Sequence, residues 1–380
     1  MSNNVKNLSY DENIISNEDE LDTSFKNESV YPMNNIQVDK AYFSIYELKR
    51  KFDRKDKKIV LDSDFQRNSV WGLLQKSELI ESVLMGLPLP LFYFFEDKLG
   101  RLIVIDGRQR LTTFFEFLDD KFKLKKLRIL PEFSDKKFSE LQYIAQGKIE
   151  DYQIQANVIK PPTPDQIKFD IFDRVNRGGT QLNKQEIRNA LYQGNSTQLL
   201  KDICSTKEFS DATDNAFHNN ARMKDRYLIL RFIAFELYFN NKLLDDDGKL
   251  YEYKNDIDDL LGKTMEYMNN LDAQEIEVIK KDTLYCLKNA YYYLGKDGFR
   301  LNQNNRRSPI NMNIFECLMH LMKNIPVNNS NIKSDVKIHV DNLLINEEFL
   351  ESIRRHRDNL NNVKIRYNKI NNIIKELKIK

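Results

Sequence analysis

The chain has 380 residues, long enough for two domains and a sizeable core. Hydrophobic residues make up 41% and charged residues 31%, the balance of a water-soluble globular protein, and the net charge of +2 excludes a wholesale basic coat while leaving room for a local basic groove. No apolar run approaches the ~18 residues of a membrane-spanning helix.

Cys204, Cys286 and Cys317 are odd in number and form no C-x-x-C pair, so the expectation is buried thiols in a reducing cytoplasm. The histidines at 218, 320, 339 and 356 lie in no metal-binding spacing, and no metal site is expected from them. Residues 1–35 are polar and acidic, with few large apolar side chains. They read as a flexible arm rather than a secretory leader.

Structure is expected to begin near "FSIYELKRKF", where Ser44 and Glu47 have capping-box spacing and Ile45, Leu48 and Phe52 share a helix face. "KIVLDSDF" reads as a short strand running into a loop, and "LLQKSELIESVLMG" as an amphipathic helix ending at Gly86. "LFYFFED" and "GRLIVID" are β-prone runs separated by a short link, so they predict a hairpin. "RQRLTTFFEFLDD" continues as a helix, "DYQIQANVI" alternates like a strand, and a helix is expected from near Pro164 to Gly178. Beyond about Asn195 only helical periodicity is found. These patterns predict an α+β chain with a flexible arm over 1–35, a mixed α/β domain over 36–195 and an all-helical domain over 196–380.

The stretch "IVIDGRQRLTTFFEFL" hands a buried strand over to a buried helix through Asp106, Gly107, Arg108, Gln109 and Arg110. A helix entrance gathers unpaired N–H groups and the positive end of the dipole, so it suits phosphate, and two arginines there add forked donors. An Asp-Gly turn with solvated arginines accounts equally for the spacing. "DFQRNSVW" places Gln66 and Arg67 in a loop beside the single tryptophan, Trp71. "FDRVNRGGTQLNKQEIRNALYQG" crowds Asn176, Gly178, Gly179 and Thr180 into a short link between helices, which is either a backbone nest for an anion or a plain corner. From Glu351 to Lys380 there are nine Lys or Arg against three Asp or Glu. Arg354, Arg355, Arg357, Lys364 and Arg366 of this segment are candidate contacts to DNA phosphates, with a solvated helix face as the alternative.

In order and spacing, "FQRNSVW", "ESVLMGLPLPLFYFFE", "VIDGRQRLTTFFEFL" and "VNRGGTQLNKQEIRNALY" resemble the N-terminal domain of GmrSD-type modification-dependent restriction enzymes, a domain also found at the head of related phage-defence proteins. The resemblance covers roughly Ala41 to Asn195. It implies a fold similar to the ParB and sulfiredoxin nucleotide-binding folds, and nucleoside triphosphate binding and hydrolysis with Mg2+, coupled to DNA cleavage. The family's Asp-Gly-Gln-Gln-Arg segment maps to Asp106, Gly107, Gln109 and Arg110, with Arg108 in place of its first glutamine. Asp106, Gln109 and Arg110 would then be the catalytic group. Gln66, Arg67, Gly107, Arg108, Asn176, Gly178, Gly179 and Thr180 would hold nucleotide and phosphate.

No D-H-x-x-P-like segment of a His-Asn-His nuclease is found. Any nuclease is therefore expected on a separate protein or as an activity with no recognised motif, and three readings stay open: a nucleotide-dependent NTPase acting on or near DNA, a non-enzymatic nucleotide-switched DNA-binding module, and an adaptor that binds no nucleotide.

Overall fold

The computed structural model describes residues 36–378 apart from 57, 62–70, 98, 164–166, 169–170, 172–173, 175–182, 218–221, 246, 302–306 and 355–357. The chain divides into two compact units, one ending at Leu191 and the next beginning at Tyr192.

The first unit is mixed α/β. Its strands are β1 (Gln37–Ser44), β2 (Ile59–Val60), β3 (Phe92–Glu96), β4 (Leu102–Asp106) and β5 (Gln153–Lys160), in the sheet order β1-β5-β3-β4-β2. β1 runs antiparallel to β5, β5 parallel to β3, β3 antiparallel to β4, and β4 parallel to β2. Four helices of this unit are α1 (Ile45–Asp53), α2 (Leu73–Leu84), α3 (Arg108–Leu118) and α4 (Tyr143–Glu150). The expected hairpin is present, with Glu96 opposite Leu102 and Phe94 opposite Val104.

Ser44 caps α1 by accepting from the Glu47 N–H at 3.0 Å. Phe92 and Phe94 of β3 and Leu102 and Val104 of β4 share a core with Ile80 and Val83 of α2 and Leu111 and Phe114 of α3. Ile103 and Ile105 alternate onto the opposite sheet face and are also buried, so β4 is apolar from Leu102 to Ile105, as a strand covered on both faces must be.

The sequence reading starts structure at α1 and misses β1. This edge strand is mostly exposed, and Val38 and Tyr42 face outward, so its pattern lacks a buried stripe.

A fifth helix, α5 (Lys184–Leu191), is held by a reciprocal cap: Glu186 N–H donates to Asn183 Oδ1 at 2.9 Å, and Asn183 N–H donates to Glu186 Oε2 at 2.7 Å. Most of the helix expected from Pro164 lies outside the described residues.

In the second unit the described residues form helices: α6 (Asn195–Cys204), α7 (Lys207–Thr213), α8 (Lys224–Phe239), α9 (Ile257–Asn269), α10 (Ala273–Leu294), α11 (Met312–Lys323), α12 (Lys333–Ile345), α13 (Glu347–Ser352) and α14 (Leu360–Lys378). Two isolated β-bridges, Leu244 to Leu250 and Arg300 to Ile310, tie loops. Buried charges organise this unit. Glu316 of α11 accepts from Arg231 Nε of α8 at 2.9 Å and from Arg366 Nη2 of α14 at 3.0 Å, while Asp358 accepts from Arg231 at 2.8 Å. Burial alone would lower the Arg231 pKa, but Asp358 and Glu316 outweigh it and hold the guanidinium charged.

The three cysteines are free thiols. No helix among the described residues is long and apolar enough to cross a membrane.

Candidate functional site

β4 ends on Asp106 and α3 begins on Arg108, with only Gly107 between them. Gly107 has φ 99° and ψ 7°, a left-handed conformation that an L side chain rarely adopts. A Cβ there would stand 2.2 Å from Cδ1 of the Phe92 ring. Glycine is therefore required by the turn and by the core beneath it. The sequence reading assigns this residue to ligand approach, and Phe92 supplies a second reason.

Arg110 is the third residue of α3 and only 8% exposed. Its Nη2 donates to Asp106 Oδ2 at 2.7 Å and to the Leu91 carbonyl at 3.2 Å; Nη1 donates to the Pro90 carbonyl. The guanidinium carbon lies 4.1 Å from the Phe92 ring centroid. Burial pulls the Arg110 pKa below its ordinary value, and the charge of Asp106 opposes that shift. Arg110 is expected from the sequence to face a phosphate. Instead, its fork clamps the segment entering β3 to the end of β4, fixing the Asp106 carboxylate at the helix entrance. The signal that could have located this partner is "LPLPLF": Pro88 and Pro90 lack an N–H, so the strand entrance is poor in ladder pairing and its carbonyls need other donors.

Arg108 and Gln109 occupy the first turn and are half-buried. Gln109 Oε1 accepts from the Trp71 N–H at 3.5 Å, so the helix entrance meets the start of α2. Gly107, at the N-cap of α3, has no side chain with which to cap the helix. The carbonyl of Gly107 accepts from Leu111 N–H and so opens the helical hydrogen-bond ladder, with residues 108–110 forming the first turn of N–H groups. The entrance thus combines the first-turn N–H groups of α3, one positioned carboxylate and the side chains of Arg108 and Gln109.

Among the described residues no group of three His, Cys, Asp or Glu side chains could hold a metal ion. Among the described residues, Asp106 would offer a divalent ion a carboxylate here, and further ligands would come from phosphate and water, the usual habit of Mg2+. Gln66, Arg67, Asn176, Gly178, Gly179 and Thr180 lie outside the described residues.

At the other end of β4, near the β3–β4 turn, is a depression of about 440 Å3. Lys40, Arg50, Lys51, Arg54, Lys58 and Lys160 line it beside Asp39 and Glu96. Much of that charge is spent internally, with Lys160 on Asp39 at 2.7 Å, Lys51 on Glu47 at 2.7 Å and Arg54 on Asp56 at 2.8 Å.

The C-terminal residues expected to meet DNA are divided by the fold. Arg366 is fully buried and donates to Glu316 and, at 2.6 Å, to the Ser352 carbonyl, so it is a core residue and cannot reach a phosphate. A buried Glu316 needs such a partner, and a count of charges along the chain cannot distinguish that need from a basic surface. Arg354 is paired with Glu351 at 2.6 Å, Lys364 is exposed, and Arg355 and Arg357 lie outside the described residues.

A search of curated proteins and a search of solved structures return no match for the chain. The family model described as "GmrSD restriction endonuclease, N-terminal domain" matches residues 45–193. That span runs from α1 through the β4–α3 entrance to the residues just after α5, and this part of the chain belongs to the N-terminal domain family of GmrSD restriction endonucleases.

Proposed function

We propose that the chain is a nucleotide-dependent protein of a restriction-type phage-defence system. In this reading it binds a nucleoside triphosphate with Mg2+ at the β4–α3 entrance, hydrolyses it, and acts on or near DNA, with any nuclease on a separate partner. The α/β unit is read as a fold of the ParB and sulfiredoxin type. The observation that carries the proposal is the α3 N-terminus, set by the left-handed Gly107 directly behind a carboxylate that Arg110 fixes in place.

The N–H groups of residues 108–110 and the Arg108 side chain would take phosphate oxygens. Gln109 would orient the attacking water. Arg110 acts through Asp106 and is a positioning residue, because its donors are already engaged by Asp106 and two carbonyls. Mg2+ bound with the nucleotide would supply charge neutralisation at the phosphates.

That engagement of Arg110 also favours a second reading, a nucleotide-switched module without turnover. An arginine committed to the fold cannot swing onto charge that develops in a transition state.

Thermal-shift titration of the full chain against the common nucleoside triphosphates with Mg2+ tests binding, since a ligand of the folded state raises the melting temperature by mass action. Steady-state phosphate release then separates the readings. Turnover abolished by Gln109→Ala supports hydrolysis, binding without turnover supports the switch, and no shift with any triphosphate overturns both.

A further inference from the structure

Lys288, Tyr291 and Tyr292 of α10 are spaced i, i+3, i+4 and so share one helix face, with Lys296 just past the helix end. Lys333 and Lys337, one turn apart on α12, line the same depression of about 680 Å3, together with Asp211 and Asp214 from the end of α7. Tyr291 is 50% exposed. Lys333 Nζ lies 4.3 Å from the Tyr292 ring centroid. Asp214 is bound to Arg307 at 2.7 Å. No carboxylate among the described residues pairs with any of the four lysines. The groove thus offers four ammonium groups that are paired with no carboxylate, outnumbering the two aspartates of its lining, and an open aromatic face, within a chain whose overall charge is nearly balanced.

We infer that this groove of the helical unit binds a single-stranded polynucleotide, with an unpaired base stacked on Tyr291 and successive phosphates on Lys288, Lys296, Lys333 and Lys337. The lysines alone would suit any polyanion. The exposed ring selects one that also carries flat π-faces, and stacking on an aromatic side chain tolerates any base. A duplex hides those faces inside its own stack and leaves Tyr291 nothing to hold. Lysines on two helices and beyond a helix end spread the positive charge over more than one phosphate. Tyr293 anchors the wall by donating to the Pro326 carbonyl at 2.7 Å and accepting from the Asn329 N–H at 3.1 Å. The groove lies wholly within the second unit, and the inference holds whatever the β4–α3 entrance binds.

The test is fluorescence anisotropy of the full chain with labelled oligo-dT and oligo-rU, at several salt concentrations, with a duplex of equal length and free dTMP as competitors. Tyr291→Ala and the double change Lys333→Gln with Lys337→Gln are compared with the parent, and their melting curves confirm folding. The expected result is binding of one or both oligonucleotides, weakened roughly five- to hundredfold by Tyr291→Ala. For the double variant, the slope of log affinity against log salt should become shallower by about 0.7 for each phosphate that is no longer neutralised. Preference between dT and rU identifies which polynucleotide the groove takes. The inference is overturned if the parent binds neither oligonucleotide, if folded Tyr291→Ala binds like the parent, if the duplex competes as well as the single strand, or if dTMP competes equally at matched phosphate concentration.

Discussion

The Arg110 guanidinium meets the Asp106 carboxylate at 2.7 Å across the turn that joins β4 to α3, and the same guanidinium holds the carbonyls of Pro90 and Leu91. Removing it strands two carbonyls and a carboxylate at once. Arg110→Ala should therefore destabilise the α/β unit by about 2–3 kcal/mol, discounted because Asp106 is partly open to water. Urea unfolding with an unchanged slope checks this. Arg110→Lys should recover only part of the loss, because an ammonium cannot present the same fork. If Arg110→Ala unfolds at the parent's midpoint, the clamp contributes nothing to stability.

Gly107 and Phe92 make a second, steric constraint at the same turn. Gly107→Ala meets both an unfavourable φ, worth about 1–2 kcal/mol, and the ring of Phe92. Adding Phe92→Leu should relieve the contact without restoring the backbone preference. The double variant is therefore expected to remain below Phe92→Leu alone by about that backbone amount. A double variant as stable as Phe92→Leu alone would mean that the left-handed conformation is not enforced.

The parts of this region legible in sequence are local. The apolar runs of β3 and β4, the Asp-Gly turn and the periodicity of α3 each declare themselves within a dozen residues. What sequence did not disclose depends on partners far along the chain. Arg110 finds its carbonyls about twenty positions upstream, and Arg366 finds Glu316 fifty positions away. The Lys288–Tyr291–Tyr292 face reads as an ordinary helix stripe until α12 brings Lys333 beside it. β1 escaped because an exposed edge strand lacks the one-sided burial that makes strand periodicity visible.

The fate of the C-terminal charges separates a buried network from a surface. Arg366→Gln removes one of the two guanidiniums that offset the fully buried Glu316 and should cost about 3–5 kcal/mol. Lys364→Gln, at an exposed position on the same helix, should leave the melting temperature within about a degree. Differential scanning calorimetry of the two variants makes the comparison. Equal stability would remove Arg366 from the core network.

Glu236 of α8 gives the helical unit an acid limit. Its side chain is buried against His320 Nδ1 and lies 3.0 Å from Lys323 Nζ. Burial by itself would raise the carboxyl pKa, but the hydrogen bond and charge of His320, with Lys323, outweigh it and hold the group below its ordinary 4.5. A carboxyl whose pKa is depressed by folding contributes stability that is fully present above its unfolded pKa and is lost as pH falls through the folded one. The parent should therefore lose stability as pH is lowered below the ordinary 4.5, as this group takes up its proton. Glu236→Gln cannot follow that titration. At pH 7 it should be about 1–3 kcal/mol less stable, because His320 and Lys323 lose the negative charge of their buried acceptor, while its stability should fall less between pH 5 and pH 3. Denaturant midpoints for both proteins across that interval decide the matter, and parallel curves would place the acid limit on other carboxylates.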